Sequence, residues 1–246
     1  MSIEYYFIFF LAAILYSSCG HGGASAYLAI FALIGIVDFE IIPFVLLLNI
    51  LVASISWFNY FRSGFFKWKI LFPFVIASIP AAFLGGSLIV PKNIFYFVLS
   101  LSLFFSAVKI FFDNRNFTMA QKTSLQNNLF FSFPIGFVIG FISGMIGIGG
   151  GIFFSPILLF LHFGNAKEIA AISSAFIVLN SLSGMFAHIL NGNFFNINYF
   201  PLFFVVGIGG ILGSFLGAKK IPNLQLQYIL GCVLLIASVK MVLKIF

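Results

Sequence analysis

The chain has 246 residues, of which 62% are hydrophobic and 7% charged, with a formal net charge of +7. A soluble domain covers its surface with about 25% charged residues; this chain cannot, and apolar runs near or above the ~18 residues of a spanning helix recur along its whole length. Disordered, fibrous and disulfide-stapled classes fall with the same figures, since the two cysteines, Cys19 and Cys232, lie far apart in apolar surroundings.

The basic residues are dispersed among short loops, which reads as membrane topology and not as a nucleic-acid face. The first apolar run covers 5–19. It has the length of a signal-peptide core, but Glu4 precedes it with no Lys or Arg, so removal as an export signal is not expected. The second run, 24–36, is separated from the first by Gly20-His21-Gly22-Gly23. Unbroken helix over 5–36 would be roughly 48 Å long against a ~30 Å hydrocarbon core, and 24–36 alone only ~20 Å. The stretch must turn back. A re-entrant hairpin of two half-helices is expected, with a pair of tilted full crossings as the alternative. Runs 41–58, 70–90 and 94–112 follow, then the polar stretch 113–128; the order then repeats as 129–147 with 151–163, 169–190, 198–217 and 225–246.

The two halves also match residue by residue. Gly20-His21-Gly22-Gly23 aligns with Gly147-Ile148-Gly149-Gly150, Gly64 with Gly192, Phe83-Leu84-Gly85-Gly86 with Ile211-Leu212-Gly213-Ser214, and Ala107-Val108-Lys109 with Ser238-Val239-Lys240, at offsets of 127 to 131. This predicts an all-α integral membrane protein of two repeats, 1–112 and 129–246, joined by a polar cytoplasmic linker, 113–128. Each repeat holds a glycine-broken re-entrant hairpin and three transmembrane helices, about eight membrane helices by simple hydropathy. Three crossings per unit invert the second unit relative to the first. That topology puts Arg62, Lys67, Lys69, Lys109, Arg115, Lys122, Lys167, Lys219 and Lys220 on one side and only Lys92, Lys240 and Lys244 on the other, as the positive-inside rule favours.

The most informative stretch is Gly136 to Phe160. Gly136, Gly140 and Gly144 are four apart and share a helix face on which another helix can approach closely. Gly147, Gly149, Gly150 and Gly151 come too densely for stable helix. Such a break is tolerated in a membrane only where it is buried in protein or lines a polar cavity, because its free N–H groups cannot bond to lipid.

Gly144-x-x-Gly147-x-Gly149-Gly150-Gly151 followed by Pro156, the run Ala170-Ala171-Ile172-Ser173-Ser174 and the pair Asn191-Gly192 resemble the TauE/SafE family of membrane proteins. The resemblance covers essentially the whole chain. The first repeat departs from the pattern: Gly20, Gly22 and Gly23 are kept, but Ala24 replaces the third consecutive glycine, Ala29 stands opposite Pro156, and Cys19 and His21 lie in the turn. The resemblance implies export of sulfite, an organosulfonate or a related sulfur oxyanion.

Half-helices beginning near Gly150 and Gly23 would turn free N–H groups and positive dipole ends toward one another, which is an anion site. Candidate binding residues are Ser18, Cys19, Gly20, His21, Gly22, Gly23 and Ser25 from the first hairpin, and Ser143, Gly147, Gly149, Gly150, Gly151 and Ser155 from the second. Asn49, Ser173, Ser174 and Asn180 come from the helices that follow. For each there is a blander role. Serines in membrane helices often bond to their own backbone, Cys19 is of the size of a small buried hydrophobe, and His21 is either an anion or proton ligand or a neutral structural histidine. His162 and His188 fall near segment ends and read as interfacial.

The five acids, Glu4, Asp38, Glu40, Asp113 and Glu168, stand at segment ends or in loops, so no carboxylate pair is expected in the membrane and no enzyme is read. Neither glycine cluster is followed by Lys-Ser or Lys-Thr, which argues against ATP binding. No metal or cofactor is expected. The reading is a multi-pass secondary transporter of a small anion in the cytoplasmic membrane, with no nucleic-acid partner. An accessory membrane subunit that retains the fold is the competing reading.

Overall fold

The computed structural model of the chain describes residues 3–34, 41–88, 129–193 and 199–222, with single positions between 91 and 108 and between 225 and 242. The polar stretch 113–128 lies outside the described residues, as do Lys92, Lys109, Arg115, Lys122, Lys240 and Lys244 and nearly all of 94–112 and 225–246.

The described residues form helices and the turns that join them, without a strand among them. In chain order the helices are α1 (Ile3–Ser18), α2 (Ala24–Leu33), α3 (Ile42–Arg62), α4 (Trp68–Gly86), α5 (Leu129–Ile146), α6 (Gly151–Phe160), α7 (Ala166–Leu190) and α8 (Pro201–Phe215). One π turn, Leu216–Lys220, extends α8. Five of these are long and apolar enough to cross a membrane: α3, α4, α5, α7 and α8 with its π turn. α1 has 16 residues, and α2 and α6 have 10 each. Ten residues rise only ~15 Å, so in each glycine-broken pair one limb is about half the length a crossing needs.

Local chemistry sets the boundaries. α7 opens on a capping box, in which Asn165 Oδ1 accepts from the N–H groups of Lys167 (3.1 Å) and Glu168 (3.0 Å) and Glu168 Oε2 accepts from the N–H of Asn165 (3.1 Å). α3 and α8 carry a proline in the first turn, where a missing N–H costs nothing. α1 and α5 end alike. Gly20 takes φ +75° and Gly147 φ +77°, a left-handed conformation that stops a helix and that glycine adopts without a steric penalty.

Small residues decide the packing. In α5, Gly136, Gly140 and Gly144 lie directly on the backbone of Phe74, Ser78 and Ala82 in α4; a methyl group at any of them would run into a carbonyl oxygen. In α8, Gly209, Gly213 and Gly217 lie in the same way on Phe10, Ile14 and Ser18 of α1. α8 faces Phe204, Ile208, Ile211 and Phe215 outward and its glycines inward, the reverse of a water-soluble helix and the arrangement that suits a lipid surround. α3 and α7 pack against each other at the centre, with α4 also on α7 and α8 also on α3.

The cationic ends of these helices gather together. Lys67 Nζ, just before α4, pairs with Glu168 Oε1 of α7 at 2.5 Å, and Lys167 Nζ donates to the carbonyl of Ala218 at 3.2 Å. Arg62, Lys69, Lys219 and Lys220 lie exposed beside them in sequence.

Candidate functional site

The glycine breaks bring the starts of α2 and α6 together. His21, three residues before α2, sets its Nε2 3.1 Å from the carbonyl oxygen of Gly151, the first residue of α6, while its Nδ1 lies 3.1 Å from the carbonyl of Cys19. Ser155, one turn into α6, donates to Ser173 Oγ on α7 at 2.7 Å, and its own Oγ is 3.3 Å from His21 Nε2. The imidazole thus joins a hairpin of the first half to a hairpin and a helix of the second.

Asn49, on α3, makes a second bridge. Its Oδ1 accepts from the N–H of Ala24 at 3.1 Å and so caps α2. Its Nδ2 donates to Ser181 Oγ on α7 at 2.8 Å and reaches the carbonyl of Ile148 at 3.4 Å. His21, Asn49, Ser155, Ser173 and Ser181 are all buried. The glycines make room for these bonds: a methyl group on Gly22 would strike Asn49, and one on Gly149 would strike both Ser181 Oγ and Asn49 Nδ2. Gly149 and Gly150 adopt φ +72° and +81° in succession, left-handed conformations that glycine takes without a steric penalty.

The network is polar and uncharged. Among the described residues no Asp, Glu, Lys or Arg is buried, and no group of three His, Cys, Asp or Glu stands close enough to hold a metal. Among the described residues, too, no protein acceptor stands on the N–H groups of Gly149, Gly150, Gly151 or Ile152, whereas that of Ala24 is taken by Asn49. The α6 end is therefore the better donor of the two. The halves differ here in sequence as well, since Ile148 aligns with His21 and the apolar Ile177 packs against Gly149 and Gly151 much as Asn49 packs against Gly22.

Several expected residues turn elsewhere. Ser18, Ser143 and Ser174 donate to the carbonyls of Leu15 (2.7 Å), Gly140 (3.0 Å) and Ala171 (2.9 Å) in their own helices. Ser25 donates to Tyr16 OH at 3.1 Å. Cys19 is buried beside Ser18. Asn180 donates to the carbonyl of Phe176, and its Oδ1 has no partner among the described residues. Gly20 lies on the backbone of Ala170 and Gly23 against the ring of Tyr27. His188 is buried, 3% exposed, with Nε2 3.1 Å from the carbonyl of Gly144, because α7 is packed to its last turn. Ser181, Tyr16, Tyr27 and Tyr60, which the structure places in these contacts, were not among the residues expected from the sequence.

The family model "Sulfite exporter TauE/SafE" matches residues 5–241. The chain is 31% identical over 244 residues, 95% of each chain, to "Probable membrane transporter protein y4hK" of Sinorhizobium fredii. It is 24% identical over 260 residues, 98% of this chain and all of the relative, to "Probable membrane transporter protein YjnA" of Bacillus subtilis. No solved structure matches the chain significantly. With its apolar helices and this full-length match, the chain is a multi-pass membrane protein and belongs to the TauE/SafE family.

Proposed function

We propose that the protein is a secondary transporter that carries a small anion, sulfite or a related sulfur oxyanion, out across the cytoplasmic membrane. The observation that carries this reading is the meeting of two half-length helices, α2 and α6, at a buried, uncharged network where the N–H groups of Gly149 to Ile152 have no acceptor among the described residues. Helix N-termini attract anions through those groups and through the dipole. A seat built from dipoles binds a small anion without a lysine or arginine, and so releases it more readily than an ion pair would. The family description and the names of the relatives, which call them probable membrane transporters, agree with such a role.

The seat is read at mid-membrane, between inverted repeats 1–112 and 129–246, with 113–128 in the cytoplasm. Packing supports a two-fold relation between the halves. α4 of the first half lies on α5 of the second, and α8 of the second lies on α1 of the first, so exchanging the halves preserves the contacts. Gly85 meets the carbonyl of Phe141 as Gly213 meets that of Ile14, at nearly the same offset as the sequence matches. Two hairpins entering from opposite faces leave a thin barrier on each side of the seat, which small movements of one half against the other would open in turn.

An inside-negative membrane potential favours anion exit, about 2.3 kcal/mol per charge per 100 mV. The test is flux from proteoliposomes loaded with sulfite, thiosulfate or sulfoacetate, with and without an imposed potential. Flux that rises with an inside-negative potential is expected, and no flux of any of the three would sink the reading.

A further inference from the structure

Hairpin one holds a group of buried donors that the seat at α6 does not use. Tyr27, in the first turn of α2, is fully buried, and its hydroxyl has no hydrogen-bond partner among the described residues. Its ring stacks on Phe9 at 5.5 Å and folds back over the start of its own helix, so that a methyl group on Gly23 would stand 2.7 Å from the phenol oxygen. Gly23, at φ +96°, is the residue immediately before α2. Tyr16, at the end of α1, brings a second buried phenol to the same turn through its hydrogen bond with Ser25. Tyr16 and Ser25 own two hydroxyl protons and share one bond, which leaves one O–H to donate outward.

From these observations we infer that Tyr27, Tyr16 and Ser25 form a second seat for the small oxyanion at the start of α2. This deepens the transport reading and rests on it. Every group aimed into the turn can donate: two phenols, a serine hydroxyl, and the N–H groups of Gly23 and Ser25, for which no protein acceptor stands among the described residues. Burying donors without acceptors is costly, and a deprotonated oxyanion supplies acceptors alone. Hydrogen bonds to a charged acceptor are also the stronger kind.

The two seats are separated by one side chain. The His21 ring meets that of Tyr16 edge to face, with centroids 6.4 Å apart, while its Nε2 lies on the carbonyl of Gly151. An anion moving between the phenol seat and the N–H groups of α6 would pass the imidazole, which stands between Tyr16 and Gly151.

Tyr27→Phe removes the hydroxyl and keeps the ring. The full-length protein and this variant, both in nanodiscs, would be titrated with sodium sulfite by thermal shift, and flux measured in proteoliposomes. Expected are a sulfite Kd and a flux KM about tenfold higher than wild type, as for loss of one hydrogen bond to a charged acceptor, with a ligand-free Tm equal or higher. Tyr16→Phe should move Kd in the same direction. A Tyr27→Phe variant with wild-type Kd and KM would overturn the second seat alone. A lower ligand-free Tm with unchanged Kd would identify an ordered water as the partner and overturn it too. A wild type with neither sulfite-dependent shift nor flux would remove the transport reading and this seat together.

Discussion

Tyr60 and His188 stand 128 positions apart near the ends of α3 and α7, and each hands its polar hydrogen to a carbonyl at the end of a hairpin limb. Tyr60 OH donates to Ser18 of α1, and His188 Nε2 to Gly144 of α5, 3.1 Å away. Carbonyls in the last turn of a helix have no partner within it, and both of these are buried where water cannot supply one. The pair shares the offset at which Gly64 aligns with Gly192. Each ties the long limb of a hairpin to a central helix.

Removing either donor should loosen one hairpin. Tyr60→Phe and His188→Phe are each expected to destabilise the protein by about 1–3 kcal/mol, the cost of leaving a buried carbonyl unsatisfied. Thermal unfolding in detergent measures this. A Tyr60→Phe protein as stable as wild type would show that the bond to Ser18 contributes nothing.

Asn49 serves two helices with two different atoms, so two substitutions separate its roles. Asn49→Ala should cost about 1–2 kcal/mol through the lost cap on α2 and abolish flux by freeing both hairpin starts. Asn49→Asp keeps the acceptor for Ala24 but removes the donor to Ser181 and brings a carboxyl into an uncharged site. A protein nearer wild-type stability, but with sulfite flux reduced at least tenfold, is expected from unfolding and proteoliposome assays.

Gly149 is the most constrained of the glycines at the site. At φ +72° a side chain is strained by about 1–2 kcal/mol, and a methyl group would displace both Asn49 and Ser181. Gly149→Ala is therefore expected to insert into the membrane but to lose most of its flux, as read by fractionation beside transport. Gly192→Ala, where nothing lies within 4 Å, tests strain alone and should retain flux.

Glu168 caps α7 and pairs with Lys67. Glu168→Gln preserves the capping box and removes the ion pair, which is half exposed on the lysine side and worth at most ~1 kcal/mol. Glu168→Ala removes both and should cost more. Equal losses for the two, by thermal unfolding at low salt, would mean that the ion pair alone matters.

Much of the fold was legible because a membrane helix must satisfy its backbone within itself, so apolar runs of set length translate directly into helices. The runs beginning at 41, 70, 129, 169 and 198 all lie on helices long enough to cross, with ends shifted by a few residues where a capping box or a proline acts. The glycine breaks were legible for the same reason: Gly20 and Gly147 cannot continue a helix without cost, and both stop one. The partition of the serines was not. Ser155 and Ser174 look alike in sequence, yet one bonds across to Ser173 and the other to its own helix, which depends on the angle each presents to a neighbouring helix.

By itself, then, the sequence determined that this chain lives in lipid, that glycines interrupt it at matched places, and that its polarity there comes from backbone, hydroxyl and amide groups. Those are consequences of composition and period, which no tertiary contact can alter. Only the tertiary structure decided that His21 would lie on Gly151, 130 residues away, that Asn49 would cap one hairpin and reach the other, and that the phenols of Tyr16 and Tyr27 would converge on one turn. Such pairings follow from how closely glycine faces let helices approach. That distance is a property of two surfaces together and is written in neither one.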